Sequence, residues 1–301
     1  MRKTSVYLPE ALKQRLSALA ERSHRSEADL LRSAVEQLVD ARAADAAAAG
    51  AAGPARRDDP VPGRLIGVGV GPGSPDLLTV RALRALRRAS VVVAPCTDVT
   101  ATGRAEAIVR EAVPDVAVER VVFAMAPDPA ERAAALDAAA DRVRSLLDAG
   151  EEVAFVTLGD PNLYSTFAAI TARIAGSRPG TPIATVPGVM AFQELAARSG
   201  TVLADEQQSF VVLPANPAEA SAPGGPIAAA LGDESCTVVV YKGGRQIAAI
   251  ADRLRDAGRL DGSVLGELLG LPGERIAPVA EIADRPASYL SAVIVPARTG
   301  A

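Results

Sequence analysis

Apolar positions along this chain recur with two different periods, and the change from one to the other marks its parts. In the first forty residues Leu12, Leu16 and Leu19 fall three or four apart, as do Leu30, Leu31, Ala34, Val35 and Leu38, the spacing that gathers side chains on one helical face. The pattern predicts a strand over Lys3 to Leu8, a helix opening at Pro9, a break at Ser23-His24-Arg25 and a second helix from Ser26. Pro9 suits a first helical turn, and Ser26 followed by Asp29 has the spacing of a capping box. His24 sits in the break, where a solvated or capping side chain is expected. Two apolar stripes on so short a segment need something to pack on, and a dimer is the expected solution.

Periodicity lapses over Ala41 to Gly63, ARAADAAAAGAAGPARRDDPVPG. The alanines prolong the second helix until glycines and prolines stop it, and the remainder reads as a mobile linker. From Arg64 onward short apolar runs alternate with helical stretches. Leu65, Ile66, Val68 and Val70, interleaved with glycines, form a buried strand that runs through Gly71-Pro72-Gly73 into a helix spaced by Val80, Leu83 and Leu86. Further strands are expected at Ser90 to Ala94, Val116 to Phe123, Val153 to Leu158 and Ile183 to Val186, with a long helix from Ala130 to Ala149 stopped by Gly150. Such alternation predicts an α/β fold with a mainly parallel sheet and ligands beyond the strand C-termini. A second, smaller α/β unit begins near Asp205, with strands at Phe210 to Leu213, Thr237 to Tyr241, Val264 to Leu268 and Leu290 to Val295 and a helix from Arg245 to Ala257. The division expected is therefore 1–45, a linker at 46–63, and two α/β domains at 64–204 and 205–301.

Composition narrows the chemistry. The 301 residues are 49% hydrophobic and 23% charged, enough for sizeable cores. No apolar stretch is long enough to span a membrane, and Met1-Arg2-Lys3 is not followed by an apolar signal core, so a cytoplasmic location is expected. Cys96, Cys236 and the single histidine leave no zinc cluster, disulfide framework or histidine triad to propose. Catalysis in the body would have to proceed without histidine. A net charge of −4 argues against broad coating of nucleic acid, while leaving room for a local site.

The N-terminal words MRKTSVYLPEALKQRLSALAERSHRSEADLLRSAVEQLV resemble the ribbon-helix-helix family of DNA-binding proteins. The resemblance implies that paired strands enter the major groove with Lys3, Ser5 and Tyr7 facing outward. Residues 1–45 hold eight basic and seven acidic side chains, a weak footprint for phosphate binding. DNA binding and bare dimerisation both remain open.

Three glycine turns close strands of the first α/β unit: Gly71-Pro72-Gly73, Gly159-Asp160-Pro161 and Pro187-Gly188. Glycines there let a ligand approach the main chain, and together the turns could line one cleft. They do not form a dinucleotide fingerprint. Counting from Gly67 puts Pro72, and counting from Gly69 puts Ser74, where the third glycine belongs.

The residues from Arg64 to about Ala297 resemble the tetrapyrrole methylases. The matching words are GVGVGPGSPDLLTVRALRALRRASVVVAP, FAMAPD from Phe123 to Asp128, VAFVTLGDPNLYSTF, VPGVMAF, VLPA, YKGGR and YLSAVIVPA. FAMAPD and LGDPNLYSTF are most similar to the branch that methylates C20 of precorrin-2 or cobalt-precorrin-2 in cobalamin biosynthesis. The resemblance implies two α/β domains with S-adenosylmethionine between them, and a homodimer. It further implies that Pro72, Gly159, Asp160, Leu163, Met190, Ala191 and Lys242 hold the cofactor. Tyr164 is a candidate substrate residue by its place after the second turn, or simply a packed aromatic; Arg104 and Arg245 are candidates because the substrate carries many carboxylates. The sequence departs from the family pattern at Ser74, at Cys96-Thr97-Asp98 and at Met190-Ala191, which bears on pocket specificity. The sulfonium cofactor carries an activated methyl group, so alignment and exclusion of water are the chief demands, and no catalytic base or metal ligand is named. Two rivals stand beside this reading: a DNA-binding regulator using the body as a corrinoid or S-adenosylmethionine sensor, and a methylase of the same superfamily acting on another substrate.

Overall fold

A computed structural model describes residues 10–37, 63–123, 128–215 and 224–298. The expected strand with Lys3, Ser5 and Tyr7, nearly all of the linker, and the centre of FAMAPD lie outside the described residues. The chain divides into two compact units, Met1–Pro60 and Val61–Ala301.

In the first unit a helix spans Glu10–Ser23 and a second covers 27–37. His24 between them adopts a left-handed conformation (φ 51°) and is exposed, as the break required. The cap at Ser26 forms as expected: its Oγ accepts from Asp29 N (3.1 Å) and donates to Asp29 Oδ2 (2.7 Å). None of the residues 10–37 whose burial is described is buried, and Leu12, Leu19 and Val35 are among the most exposed large apolar side chains of the protein.

The body opens with a five-stranded parallel sheet in the order β3-β2-β4-β1-β5, where β1 is Arg64–Gly69, β2 Val91–Cys96, β3 Val118–Val122, β4 Glu152–Thr157 and β5 Ile183–Val186. Successive side chains of a strand serve opposite faces. Thus Ile66, Ala154 and Val156 pack with helices Val80–Arg88 and Arg104–Ala112, whereas Leu65, Val153 and Phe155 pack with Pro129–Asp148 and Thr166–Ser177. Gly67 within β1 lacks a side chain because the Phe167 ring occupies that space.

The second sheet runs β6-β7-β10-β8-β9, with β6 at Ser209–Pro214, β7 at Cys236–Tyr241, β8 at Val264–Glu267, β9 at Arg275–Pro278 and β10 at Ser291–Val295. Only β6 and β7 are parallel; the other pairs are antiparallel. One face packs on helix Ile247–Asp256. The other is covered by helix Ala191–Ser199, whose Phe192, Leu195 and Ala196 pack on Val239, Ala292 and Ile294. That helix belongs by packing to the second sheet, although the sequence division places it in the first domain. Helices Arg104–Ala112, Pro226–Leu231 and Val279–Ile282 and strand β9 go beyond the elements expected from sequence.

Candidate active site

The three glycine turns meet. Gly159 N donates to Gly71 O (2.8 Å) and Val70 N to Thr157 O (3.0 Å), joining the ends of β1 and β4. Asp160 fastens the third turn: Oδ2 accepts from Gly188 N (3.1 Å) while Oδ1 accepts from Asn162 N (2.8 Å). A Cβ on Gly69 or Gly188 would overlap Gly159 O, and one on Gly73 would overlap Leu269 O of the second domain. These glycines therefore serve backbone packed on backbone, rather than the close approach of a ligand expected from sequence. Of the glycines in the three turns, only Gly159 would aim a Cβ at a cavity-lining side chain, Met190.

Beside the joined turns, a cavity of about 430 Å³ opens between the two sheets of the body. Pro72, Gly159 and Leu163 reach it from the first sheet's loops, and Met190 and Ala191 from the start of the helix on the second sheet. Leu158, Leu268 and Leu269 make much of it apolar. Three of the five non-glycine residues with left-handed φ in the described chain, Tyr164 (51°), Lys242 (61°) and Leu268 (52°), line this one cavity. Such conformations persist where the surroundings impose them and cluster at functional sites.

An aromatic group closes one side. The Tyr164 hydroxyl donates to Val212 O in β6 (3.1 Å), tying a loop of the first sheet to the edge of the second. The Tyr164 and Tyr241 rings meet edge-on at 6.2 Å. Burial pushes the Tyr241 phenol up to about 12, and its oxygen accepts from Phe192 N (3.2 Å), so it stays neutral and structural. Lys242 Nζ lies 5.7 Å from the ring centres of both Tyr164 and Tyr289. Its backbone N–H donates to Ser291 O (3.2 Å), and the Ser291 hydroxyl, buried in the cavity lining, has no partner.

The opposite wall is formed by Cys96 at the end of β2, Thr97 and Gly103 of the loop that follows, and Arg104 at the start of helix Arg104–Ala112. Arg120 of β3 braces it, donating to Val99 O (2.7 Å), Thr102 Oγ1 (3.1 Å) and the fully buried Glu106 (2.6 Å to Oε2). Burial pushes the Cys96 thiol up, which keeps it a neutral thiol.

Of the sequence candidates, Pro72, Gly159, Leu163, Met190, Ala191, Lys242, Tyr164 and Arg104 all line the cavity. Asp160 does not; it acts from behind the wall by fixing Gly188. Arg245 is exposed on the short turn Gly244–Gln246 and is not among the lining residues. Ser74 also lies outside the lining, its hydroxyl bonded to Asp76. Sequence reasoning passed over Tyr241, Tyr289 and Ser291, although the first lies in YKGGR and the others in YLSAVIVPA. No group of three or more His, Cys, Asp or Glu side chains suited to a metal occurs among the described residues, and no described helix is long and apolar enough to cross a membrane.

Residues 64–283 match the family described as tetrapyrrole (corrin/porphyrin) methylases, and residues 2–42 match the ribbon-helix-helix proteins of the copG family. The chain is 35% identical over 238 residues to the cobalt-precorrin-2 C(20)-methyltransferase of Salmonella typhimurium, spanning 77% of this chain and 96% of that one. It is 32% identical over 243 residues to the precorrin-2 C(20)-methyltransferase of a Sinorhizobium species, spanning 78% and 95%. Among solved structures it superposes on a cobalt precorrin-4 methyltransferase with a TM-score of 0.57 at 22% identity, covering 77% of this chain and 94% of the other. A uroporphyrin-III C-methyltransferase from Thermus thermophilus, solved with S-adenosyl homocysteine, gives 0.53 at 23%, covering 78% and 92%.

Proposed function

This chain belongs to the tetrapyrrole (corrin/porphyrin) methylases, and on that footing we propose that it transfers a methyl group from S-adenosylmethionine to C20 of precorrin-2 or cobalt-precorrin-2. The observation that carries the reading is the meeting of Pro72, Gly159, Leu163, Met190 and Ala191 in one cavity beside the joined strand ends. Its volume falls in the range of small-molecule sites, and its many leucines with a few polar groups are the lining such sites use. The cofactor supplies an already activated methyl group. What remains for the protein is to hold the two reactants in line and keep water away, which the fixed backbone turns and the apolar wall of Leu158, Leu163 and Leu269 are built to do. Neither a side-chain nucleophile nor a histidine is demanded by this chemistry.

The test is incubation of the purified protein with labelled cofactor and each tetrapyrrole in turn. Label entering precorrin-2 or its cobalt form supports the reading. Cofactor binding with transfer to neither would sink it.

The N-terminal unit supports a second element of the proposal. Apolar Leu12, Leu19 and Val35 stand exposed and nothing described in residues 10–37 is buried, so this unit pairs with that of a second chain, and the protein works as a cytoplasmic homodimer. Lys3, Ser5 and Tyr7 would then form the DNA-facing ribbon, the arrangement a corrinoid-responsive regulator would need. A gel shift on an operator fragment, lost on substitution of Lys3 or Tyr7, supports DNA binding. Full turnover with no shift on any fragment leaves a dimerisation module alone.

A further inference from the structure

Among the described residues lining the cavity there are two charged side chains, both cationic: Arg104, the first residue of helix Arg104–Ala112, and Lys242, which follows β7. No carboxylate lines it, in a chain whose acids outnumber its basic residues, 36 to 32. Neither cation has an ion-pair partner in the described structure, whereas Arg110, Arg120, Arg173, Arg198 and Arg275 each pair with a carboxylate. A cavity with this charge pattern favours anions. The cofactor's reactive end is itself a cation, which an ammonium placed beside it would oppose. The tetrapyrrole is a polycarboxylate, which two separated cations would fit.

From this we propose that Lys242 and Arg104 form a two-sided carboxylate clamp for the tetrapyrrole, with Lys242 serving substrate rather than cofactor through its side chain. The inference rests on the reading of the protein as a tetrapyrrole methylase and assigns the side chains that hold the substrate. Two features place Lys242. Its left-handed φ of 61° is fixed by the bond from its backbone N–H to Ser291 O. Its ammonium is flanked by the Tyr164 and Tyr289 rings, each centre 5.7 Å away. Ring faces hold a cation without neutralising it, so the charge stays available to an anion. Arg104 sits at the first helical residue of Arg104–Ala112, behind a loop that Arg120 secures. One cation thus comes from each sheet's side of the cavity, so a substrate must bridge both sides to satisfy them. The unpartnered Ser291 hydroxyl gives a neutral donor on the same side as Lys242.

The experiment measures two affinities on the full-length protein and its variants K242Q, K242R and R104Q. S-adenosylhomocysteine binding is read by calorimetry. Tetrapyrrole binding is read by fluorescence with uroporphyrin III, a stable polycarboxylate, and with its methyl ester. K242Q and R104Q are each expected to weaken uroporphyrin III binding about tenfold, to change S-adenosylhomocysteine affinity less than twofold, and to leave the ester's weak binding unmoved. K242R is expected to recover most of the loss. If K242Q instead lowers S-adenosylhomocysteine affinity tenfold and spares the porphyrin, Lys242 serves the cofactor carboxylate and the clamp is overturned. If both affinities stand unchanged, the two cations are merely solvated, and the clamp is equally overturned. Neither readout uses methyl transfer, so failure of the enzyme to methylate precorrin-2 would refute the proposed activity while these affinities still decide the clamp.

Discussion

Glu106 shows how one side chain can shape the site without touching a ligand. Its carboxylate is fully buried and bonded by Arg120 and Arg110. The hydrogen bond from Arg120 is the main cause holding its carboxyl below the usual range, against the opposing cost of burial. A carboxyl with a depressed folded value stabilises the protein above its unfolded pKa of about 4.3 and loses that contribution as pH falls through the folded value. Glu106→Gln should cost roughly 1–3 kcal/mol near neutrality. Melting temperatures recorded from pH 7 down to 3 should show the gap between variant and wild type closing below about pH 4.3; a gap that stays constant would mean the charge contributes nothing. Arg259 plays a comparable part in the second domain, donating to the carbonyls of Asp233 (3.0 Å), Cys236 (2.7 Å) and Pro296 (2.9 Å) while 2% exposed. Arg259→Ala strands those acceptors and should cost on the order of 3 kcal/mol or more, read by denaturant unfolding. At the same scale Gly188→Ala, forced against Gly159 O, should weaken S-adenosylhomocysteine binding at least tenfold by parting the turns; unchanged binding would show that the junction tolerates the shift. Pro72, Gly159 and Met190, which line the cavity, could be singled out because strand-end turns carry their own sequence words. Glu106, Tyr289 and Ser291 were not, since their roles arise from neighbours distant in the chain. Asp160 was singled out as a cofactor residue, whereas it stands behind the cavity wall and bonds Gly188 N.

At the scale of elements, the parallel sheet followed from the alternation of apolar runs and helical stretches, and the observed strands differ from the expected ones by a few residues at their ends. Helix Arg104–Ala112 could have been read from Ala105, Ile108 and Val109, which share its buried face. Strand β9, four residues long and closing on Pro278, carries too little pattern to separate from a loop. Helix Ala191–Ser199 illustrates a different gap. Its Phe192, Leu195 and Ala196 share one buried face, but periodicity tells which side of a helix is buried, not which sheet buries it. Because Leu195 is wholly buried against the second sheet, Leu195→Ala should cost about 2–5 kcal/mol. Since the helix begins at Met190 and Ala191 in the cavity, the same variant should weaken cofactor binding. Loss of stability with cofactor affinity intact would show that the helix start is held independently of its packing.

For the whole molecule, two units with different needs share one chain. The body has its own buried cores on both faces of both sheets, so a protein lacking residues 1–60 should fold and bind S-adenosylhomocysteine with affinity within about twofold of the full chain. The N-terminal unit has no such core among its described residues, so its helicity should depend on protein concentration, as circular dichroism of the isolated segment would record. Sequence alone revealed both units through their matching words, because each word reflects a local backbone demand. The proposed pairing of the N-terminal unit and the choice of tetrapyrrole carbon turn on contacts with other molecules, which local words do not encode.

The central claim is methyl transfer to one carbon of one tetrapyrrole. Its most direct test is a single-turnover reaction of the full-length protein with carbon-13-methyl S-adenosylmethionine and precorrin-2, or cobalt-precorrin-2, with the product read by NMR. The account predicts one labelled methyl group, on C20. Bound cofactor with no label transferred to either substrate, or label on another carbon, would contradict it.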